Sequence, residues 1–402
     1  MKRREFIEWT AKGAIGATAL GVVGCSTDCK NETGTDTSQQ KDVAEDTTLP
    51  KDTVSGEDLQ KDIEQDNALP EVKWEMATSW PATLDTLFGG AETVAQRLSV
   101  LTQGKFTITV HPAGELAAAT EVLQKVSDGT VPIGHTCSYY YLGLGAFNAF
   151  GTALPFGLTA RQQHAWLFSG GGLEMLQQIY ADKFNVIQFP AGNSGAQMGG
   201  WFTREVSTVA DLAGFKMRIG GLGAQVMAKL GVSVQTLGAG AIVQAFKDGT
   251  IDAAEWVGPY DDEKLGLNTV AKYYYYPGWW EPGATMDIEI NLDEWKKLPE
   301  LYQEALKTVT YQANMEVLAR YDARNYEALE RLLAGGTELR SFSDEILNAA
   351  YDAAFALYEE NAQKEAEFKT IYDEWIKFRK SIVSWHSTNE LAYMNFIAKK
   401  NQ

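Results

Sequence analysis

Three side chains stand out for where they sit in the 402-residue sequence. Arg218 lies in Lys216-Met217-Arg218-Ile219-Gly220-Gly221, an alternating run that predicts a strand ending at two glycines. A guanidinium there offers a planar fork of N–H donors that matches a carboxylate with two directed bonds. The glycines allow close backbone approach to a ligand, although a surface salt bridge uses the same residue types. Glu255 lies inside the apolar run Ala253-Ala254-Glu255-Trp256-Val257, where a carboxylate needs a partner charge or a cation. Glu281 follows in Trp279-Trp280-Glu281. Two acids among indoles admit three readings: a glycosidase pair, oxygen ligands for a hard cation, or solvated rim charges.

Other chemistries lack their residues. There is no Gly-x-Ser-x-Gly, no His-Glu-x-x-His, no phosphate-loop consensus and no dinucleotide glycine fingerprint. His111, His135, His164 and His386 are scattered without ligand spacing, and Cys25, Cys29 and Cys137 form neither a C-x-x-C pair nor a disulfide framework. Aromatic runs occur at Tyr139-Tyr140-Tyr141 and from Tyr273 to Tyr276. Successive strand residues face opposite sides, so only part of each run can line a cleft.

These residues must be positioned by alternating strands and helices. Strand patterns occur at Val72–Ala77, Lys105–His111, Ile133–Ser138 and Asn185–Pro190, and helical spacing at Thr83–Leu101, Ala117–Ser127 and Arg161–Phe184. A second such series runs from Gly199 to Val257, so two α/β lobes fit the length. From Glu300 to Ala334 there is no glycine or proline, and none follows Gly336. Apolar residues from Leu347 through Tyr351, Phe368, Ile371 and Trp375 to Ile382 recur every three or four positions, predicting amphipathic helices that pack on their own lobes or on another subunit.

The charge is uneven. The formal net charge is −18, which excludes nucleic acid as a partner. Residues 1–24 begin Lys2-Arg3-Arg4-Glu5-Phe6-Ile7 and continue as a short apolar run, the order of an export signal and similar to a twin-arginine signal. Val22-Val23-Gly24-Cys25 resembles a lipobox, which makes Cys25 the lipidated residue and the membrane contact an N-terminal lipid anchor. Residues 26–70 hold twelve acidic residues, four lysines and no aromatic residue. Such a stretch cannot bury enough apolar surface to fold, so 25–70 reads as a disordered acidic tether.

Longer segments carry a resemblance. Thr250-Ile251-Asp252-Ala253-Ala254-Glu255-Trp256-Val257-Gly258-Pro259-Tyr260-Asp261-Asp262-Glu263-Lys264-Leu265-Gly266 and Tyr273-Tyr274-Tyr275-Tyr276-Pro277-Gly278-Trp279-Trp280-Glu281 are similar to the solute-binding subunits of tripartite ATP-independent periplasmic (TRAP) transporters, in the branch that binds 2-oxoacids. Thr136–Tyr141, Leu154–Leu158, Gly192–Phe202 and Lys216–Gly221 match as well, so the resemblance spans the body from about Lys73.

The resemblance implies a two-lobed periplasmic binding protein fold with hinge strands and long C-terminal helices. The expected organisation is 71–197 in lobe 1, 198–284 in lobe 2, 285–340 returning to lobe 1 with an interlobe helix, and 341–402 as C-terminal helices making a homodimer contact. It implies that Arg218 clamps a ligand carboxylate. A sodium or calcium ion would be held by Gln197, Glu255 and Glu281 side chains and the Trp256 carbonyl, with Gln197, Tyr140, Tyr141, Trp80 and Asn193 lining the cleft. The expected function is capture of a small, pyruvate-like 2-oxo or 2-hydroxy monocarboxylate for TRAP membrane subunits, without catalysis. A carbohydrate-active enzyme using Glu255 and Glu281 and a ligand-sensing receptor are the alternatives. Arg218→Ala is expected to abolish capture without unfolding the body.

Overall fold

The computed structural model describes residues 69–400. The export signal, Cys25 and the acidic tether up to residue 68 lie outside them. Residues 70–384 make one compact unit, and residues 385–400 belong to a second, described by itself below.

The first lobe is built on a five-stranded sheet ordered β2-β1-β3-β10-β4, with β1 Val72–Thr78, β2 Phe106–His111, β3 Ile133–Thr136, β4 Val186–Asn193 and β10 Thr285–Asn291. β1 runs parallel to β2 and β3, whereas β10 is antiparallel to both neighbours. Helices α1 (Leu87–Leu101), α2 (Val122–Ser127), α3 (Ala160–Ser169) and α4 (Gly172–Phe184) belong to this lobe. The helix expected over Arg161–Phe184 is therefore two. Gly171, at φ +81°, adopts a left-handed backbone that L side chains rarely tolerate, and the chain turns there. The helix expected from Ala117 begins only at Val122.

The second sheet is ordered β11-β9-β5-β8-β6-β7, with β5 Trp201–Phe202, β6 Lys216–Arg218, β7 Ser233–Gln235, β8 Ala253–Ala254, β9 Tyr273–Tyr276 and β11 Glu338–Ser341. Helices α5 (Gly221–Lys229), α6 (Ala239–Lys247) and α7 (Pro259–Leu265) connect its strands. The chain leaves the first sheet at Asn193, enters the second at Trp201 and returns at Thr285. β11 then pairs with β9, so residues 338–340, drawn from sequence with the first lobe, and Ser341, drawn with the C-terminal helices, lie in the second sheet.

Helix α8, Glu300–Ala334, spans both lobes. At 1.5 Å per residue it is about 50 Å long. Near its start Tyr302 packs on Phe106 of the first lobe, and further along Tyr321 donates to Asp261 on α7 of the second. Helices α9 (Asp344–Lys364) and α10 (Ala366–Thr388) follow. Tyr358, Phe368, Ile371 and Trp375 are fully buried within the chain, with the Phe150 ring 4.9 Å from Phe368. The apolar stripe read from sequence is thus largely satisfied by the chain's own body. In the second unit, α11 (Glu390–Lys400) has no buried residue and exposes Leu391, Tyr393, Met394 and Phe396. No described helix is long and apolar enough to cross a membrane.

Candidate functional site

Arg218 ends β6, where β6 runs parallel to both β7 and β8. The carboxyl edge of parallel strands is where open α/β sheets place ligands. The guanidinium is buried, 1% exposed, and fastened by its own chain. Nε donates to the Leu237 carbonyl at 2.9 Å, while Nη1 donates to the Glu255 carbonyl at 2.7 Å and to Glu255 Oε1 at 2.5 Å. The group also lies over the Trp256 ring at 4.9 Å. Only Nη2 has no partner in the protein. The two directed bonds expected for a ligand must therefore both come from this one nitrogen.

Glu255 is paired with Arg218 directly. Its Oε1 also accepts the Gly220 N–H at 2.9 Å, which leaves Oε2 without a partner. Gly220 also makes room inside the protein. A Cβ on Gly220 would stand 3.0 Å from the Tyr139 ring, so the missing side chain makes room for that tyrosine.

Glu281 and Gln197 come from two segments stitched together by backbone. Gln197 N–H donates to the Glu281 carbonyl at 3.1 Å, and Gly278 N–H to the Gln197 carbonyl at 2.9 Å. The Gln197 amide donates to Ser194 Oγ at 3.1 Å, so its Oε1 remains unpartnered, as do both carboxylate oxygens of Glu281. Burial pushes the Glu281 carboxyl well above the usual carboxylate range and the charge of Glu255 adds to that, while Arg218, Gln197 and Tyr139 stand near enough to oppose it. Trp256 Nε1 is a further buried atom without a partner. Orphaned buried polar atoms each cost about 1–3 kcal/mol, and charged ones more. Four orphaned oxygens and two orphaned N–H groups in one place form a donor set that fits a hard cation together with an anion.

Gln197 and Trp256 line a hollow of about 10 Å³ together with Trp80, Tyr139, Tyr140 and Met286, among others, while Arg218, Glu255 and Glu281 are not part of its lining. That is room for about one water molecule, so the walls stand nearly closed on one another. Trp80 is fixed from behind by His135, whose Nδ1 accepts the indole N–H at 2.8 Å. Burial pulls the His135 pKa down to about 4, so the ring is neutral and can accept.

Two expected lining residues do not reach the hollow. Tyr141 is in the core, its hydroxyl 2.8 Å from Thr136 Oγ1 and 3.0 Å from the Leu123 N–H. The run forms a 3₁₀ turn, Ser138–Leu144, instead of a strand. Three residues per turn send Tyr139, Tyr140 and Tyr141 in three directions rather than two. Asn193 donates to the Gly283 carbonyl and Thr285 Oγ1, both at 3.1 Å, and accepts from Gly195 N–H at 2.9 Å, so it knits the crossing strands together. Sequence reasoning left out Tyr139, although it lay in the same run, and His135, for which the sequence holds no signal.

The lobes meet beside the hollow. From the first lobe, Thr86 donates to Asp261 Oδ1 at 2.6 Å, and Asp85 accepts from Tyr260 at 3.0 Å and from Arg324 at 2.7 Å. Asp262 next to it accepts from Trp201 at 2.9 Å and Tyr274 at 2.7 Å.

Residues 76–365 match the model of the bacterial extracellular solute-binding protein family 7, DctP. The chain belongs to this family. It is 58% identical over 328 residues to a monocarboxylate 2-oxoacid-binding periplasmic protein of Nostoc sp., covering 82% of this chain and 90% of that one. Among solved structures, a TRAP transporter solute-binding protein of Bordetella bronchiseptica is 45% identical with a TM-score of 0.81, covering 82% of this chain and 97% of that chain. It is a mixed-occupancy dimer with copurified calcium and picolinate in the bound site and the other site apo. A TRAP solute-binding protein of Pseudoalteromonas atlantica, with bound sodium and pyruvate, is 32% identical with a TM-score of 0.78 over 81% of this chain and 98% of that chain. The DctP chain described here is thus a TRAP solute-binding protein with the two-lobed fold of its relatives.

Proposed function

We propose that this protein captures a small 2-oxo or 2-hydroxy monocarboxylate such as pyruvate, together with a sodium or calcium ion, in the periplasm and delivers it to TRAP membrane subunits. The observation that carries the reading is the group of orphaned oxygens of Gln197, Glu255 and Glu281 beside the unpaired Nη2 of Arg218. Gln197, Glu255, Glu281 and the Trp256 carbonyl hold the cation, and Arg218 Nη2 takes the ligand carboxylate. Tyr139, Tyr140 and Trp80 wall the remaining apolar atoms.

Pyruvate and picolinate, carried by the relatives above, share a carboxylate with a second donor atom on the adjacent carbon. Both can close a five-membered chelate on a metal ion. A ligand of so few atoms gains at most about 1.5 kcal/mol per heavy atom, so concentrated charge has to supply the affinity. Glu255 is tied to Arg218 and the Gly220 N–H, which argues against a free glycosidase acid. Binding proceeds without turnover. Calorimetric titration in calcium should show pyruvate and lactate binding, with propanoate, which lacks the second oxygen, at least tenfold weaker. Equal affinity for propanoate would remove the chelate from the account.

In this reading the chain is exported by its twin-arginine signal, anchored through Cys25 and tethered by residues 26–70. It also forms a homodimer, supported by the exposed row Leu391, Tyr393, Met394 and Phe396 on α11. Light scattering at micromolar concentration should give twice the chain mass, falling to one chain in Met394→Glu/Phe396→Glu. A monomer before substitution would refute the pairing.

A further inference from the structure

β10 carries a second set of carboxylates that the cleft does not use. Strand residues alternate faces, so Asp287, Glu289 and Asn291 share one face of β10, and a register shift separates them from Met286, which lines the hollow. Asn291 is satisfied: its amide donates to the Val126 carbonyl at 2.9 Å and its carbonyl caps the next helix. Asp287 and Glu289 are not. They are 2% and 0% exposed, both oxygens of Glu289 and Asp287 Oδ2 lack a well-formed hydrogen bond, and Ser138 is the one side chain near enough to Asp287 to favour its charged form.

Two more buried oxygens join them. Gln188 pairs directly with Glu289 across β4 and β10, which sets its side chain on the same face, and its Oε1 has no partner. Tyr180 on α4 is fully buried, its hydroxyl close enough for Ser138 and both carboxyls to act on it. No lysine or arginine among the described residues acts on either acid.

Isolated buried carboxylates are so costly that only a proton or a cation can compensate them. The set holds oxygens alone, the preference of a hard cation, and its two carboxylates balance one divalent charge. Its composition, two carboxylates and a glutamine amide oxygen, repeats that of the cleft. We propose that Asp287, Glu289, Gln188 Oε1 and Tyr180 Oη hold a calcium ion inside the first lobe, separate from the cleft cation. The ion ties β10 to β4 and α4. Without it, burial drives both carboxyls well above the usual range. Protons and calcium then compete, and calcium uptake strengthens as pH rises.

The test is calcium stoichiometry on the full chain, by equilibrium dialysis after chelator treatment and with pyruvate present. Wild type should bind two calcium ions per chain. Glu281→Gln, which removes a cleft oxygen, should keep one, and Asp287→Asn/Glu289→Gln should also keep one while retaining pyruvate capture. If the double variant does not fold, Glu281→Gln decides alone: calcium must still bind once and raise its melting temperature. No uptake by Glu281→Gln means that the pair holds protons only, and overturns the proposal. Pyruvate binding that ignores calcium, with one ion retained in Glu281→Gln, would instead sink the cleft reading and leave this site standing.

Discussion

Arg218 and Glu255 hold each other as tightly as either holds anything else, which changes what substitution at this pair should do. Arg218→Ala leaves a carboxylate buried beside no cation, a loss that commonly costs about 3–5 kcal/mol. The variant is therefore expected to lose pyruvate capture and also to melt well below wild type, against the sequence expectation of an unperturbed body. Adding Glu255→Gln should restore much of the melting temperature and none of the binding. A single variant that melts like wild type would show the ion pair to be unimportant. The residue types here were legible in sequence, because a carboxylate in an apolar run and an arginine at a strand end are anomalies that demand partners. Which partner each takes was not. Glu255 meets Arg218 across thirty-seven positions, and the direction of Tyr141 depends on a turn type that the tyrosine run does not encode.

Elements with sharp chemical boundaries were read correctly. α8 runs between Pro299, which cannot donate into a helix interior, and Gly335, with no glycine or proline between. Boundaries set by tertiary pairing were not: β11 is a strand because β9 offers it an edge. Nor did α7 announce its two buried acids. Burial pushes Asp261 up to about 6 and Asp262 up to about 7, hydrogen bonds from Thr86, Tyr321, Trp201 and Tyr274 opposing it. Unfolded, both titrate near 3.8. Between these values the folded chain holds protons that the unfolded chain has released, so stability falls as pH rises through the window. Asp262→Asn should make the decline of melting temperature from about pH 4 to about pH 7 shallower. An unchanged slope would mean that Asp262 does not carry a proton there.

At the scale of the molecule, an acidic protein that takes up an anion poses a question of sign. Distant charges are screened within about 10 Å at ordinary salt, so only the local groups decide. Arg218 is already neutralised by Glu255, and Glu281 remains uncompensated. The cleft alone therefore offers a carboxylate no net positive charge, and a bound cation supplies it. Two lobes were foreseeable from length and alternation, but their closure was not, since it rests on contacts such as Thr86 with Asp261 between residues 175 apart. The most direct measurement is pyruvate titration into protein stripped of cations by chelator and dialysed into sodium-free buffer, then repeated after adding back calcium or sodium. The account predicts no measurable heat of binding in the stripped protein and full capture once one of the two ions is restored. Equal affinity in both states would contradict it.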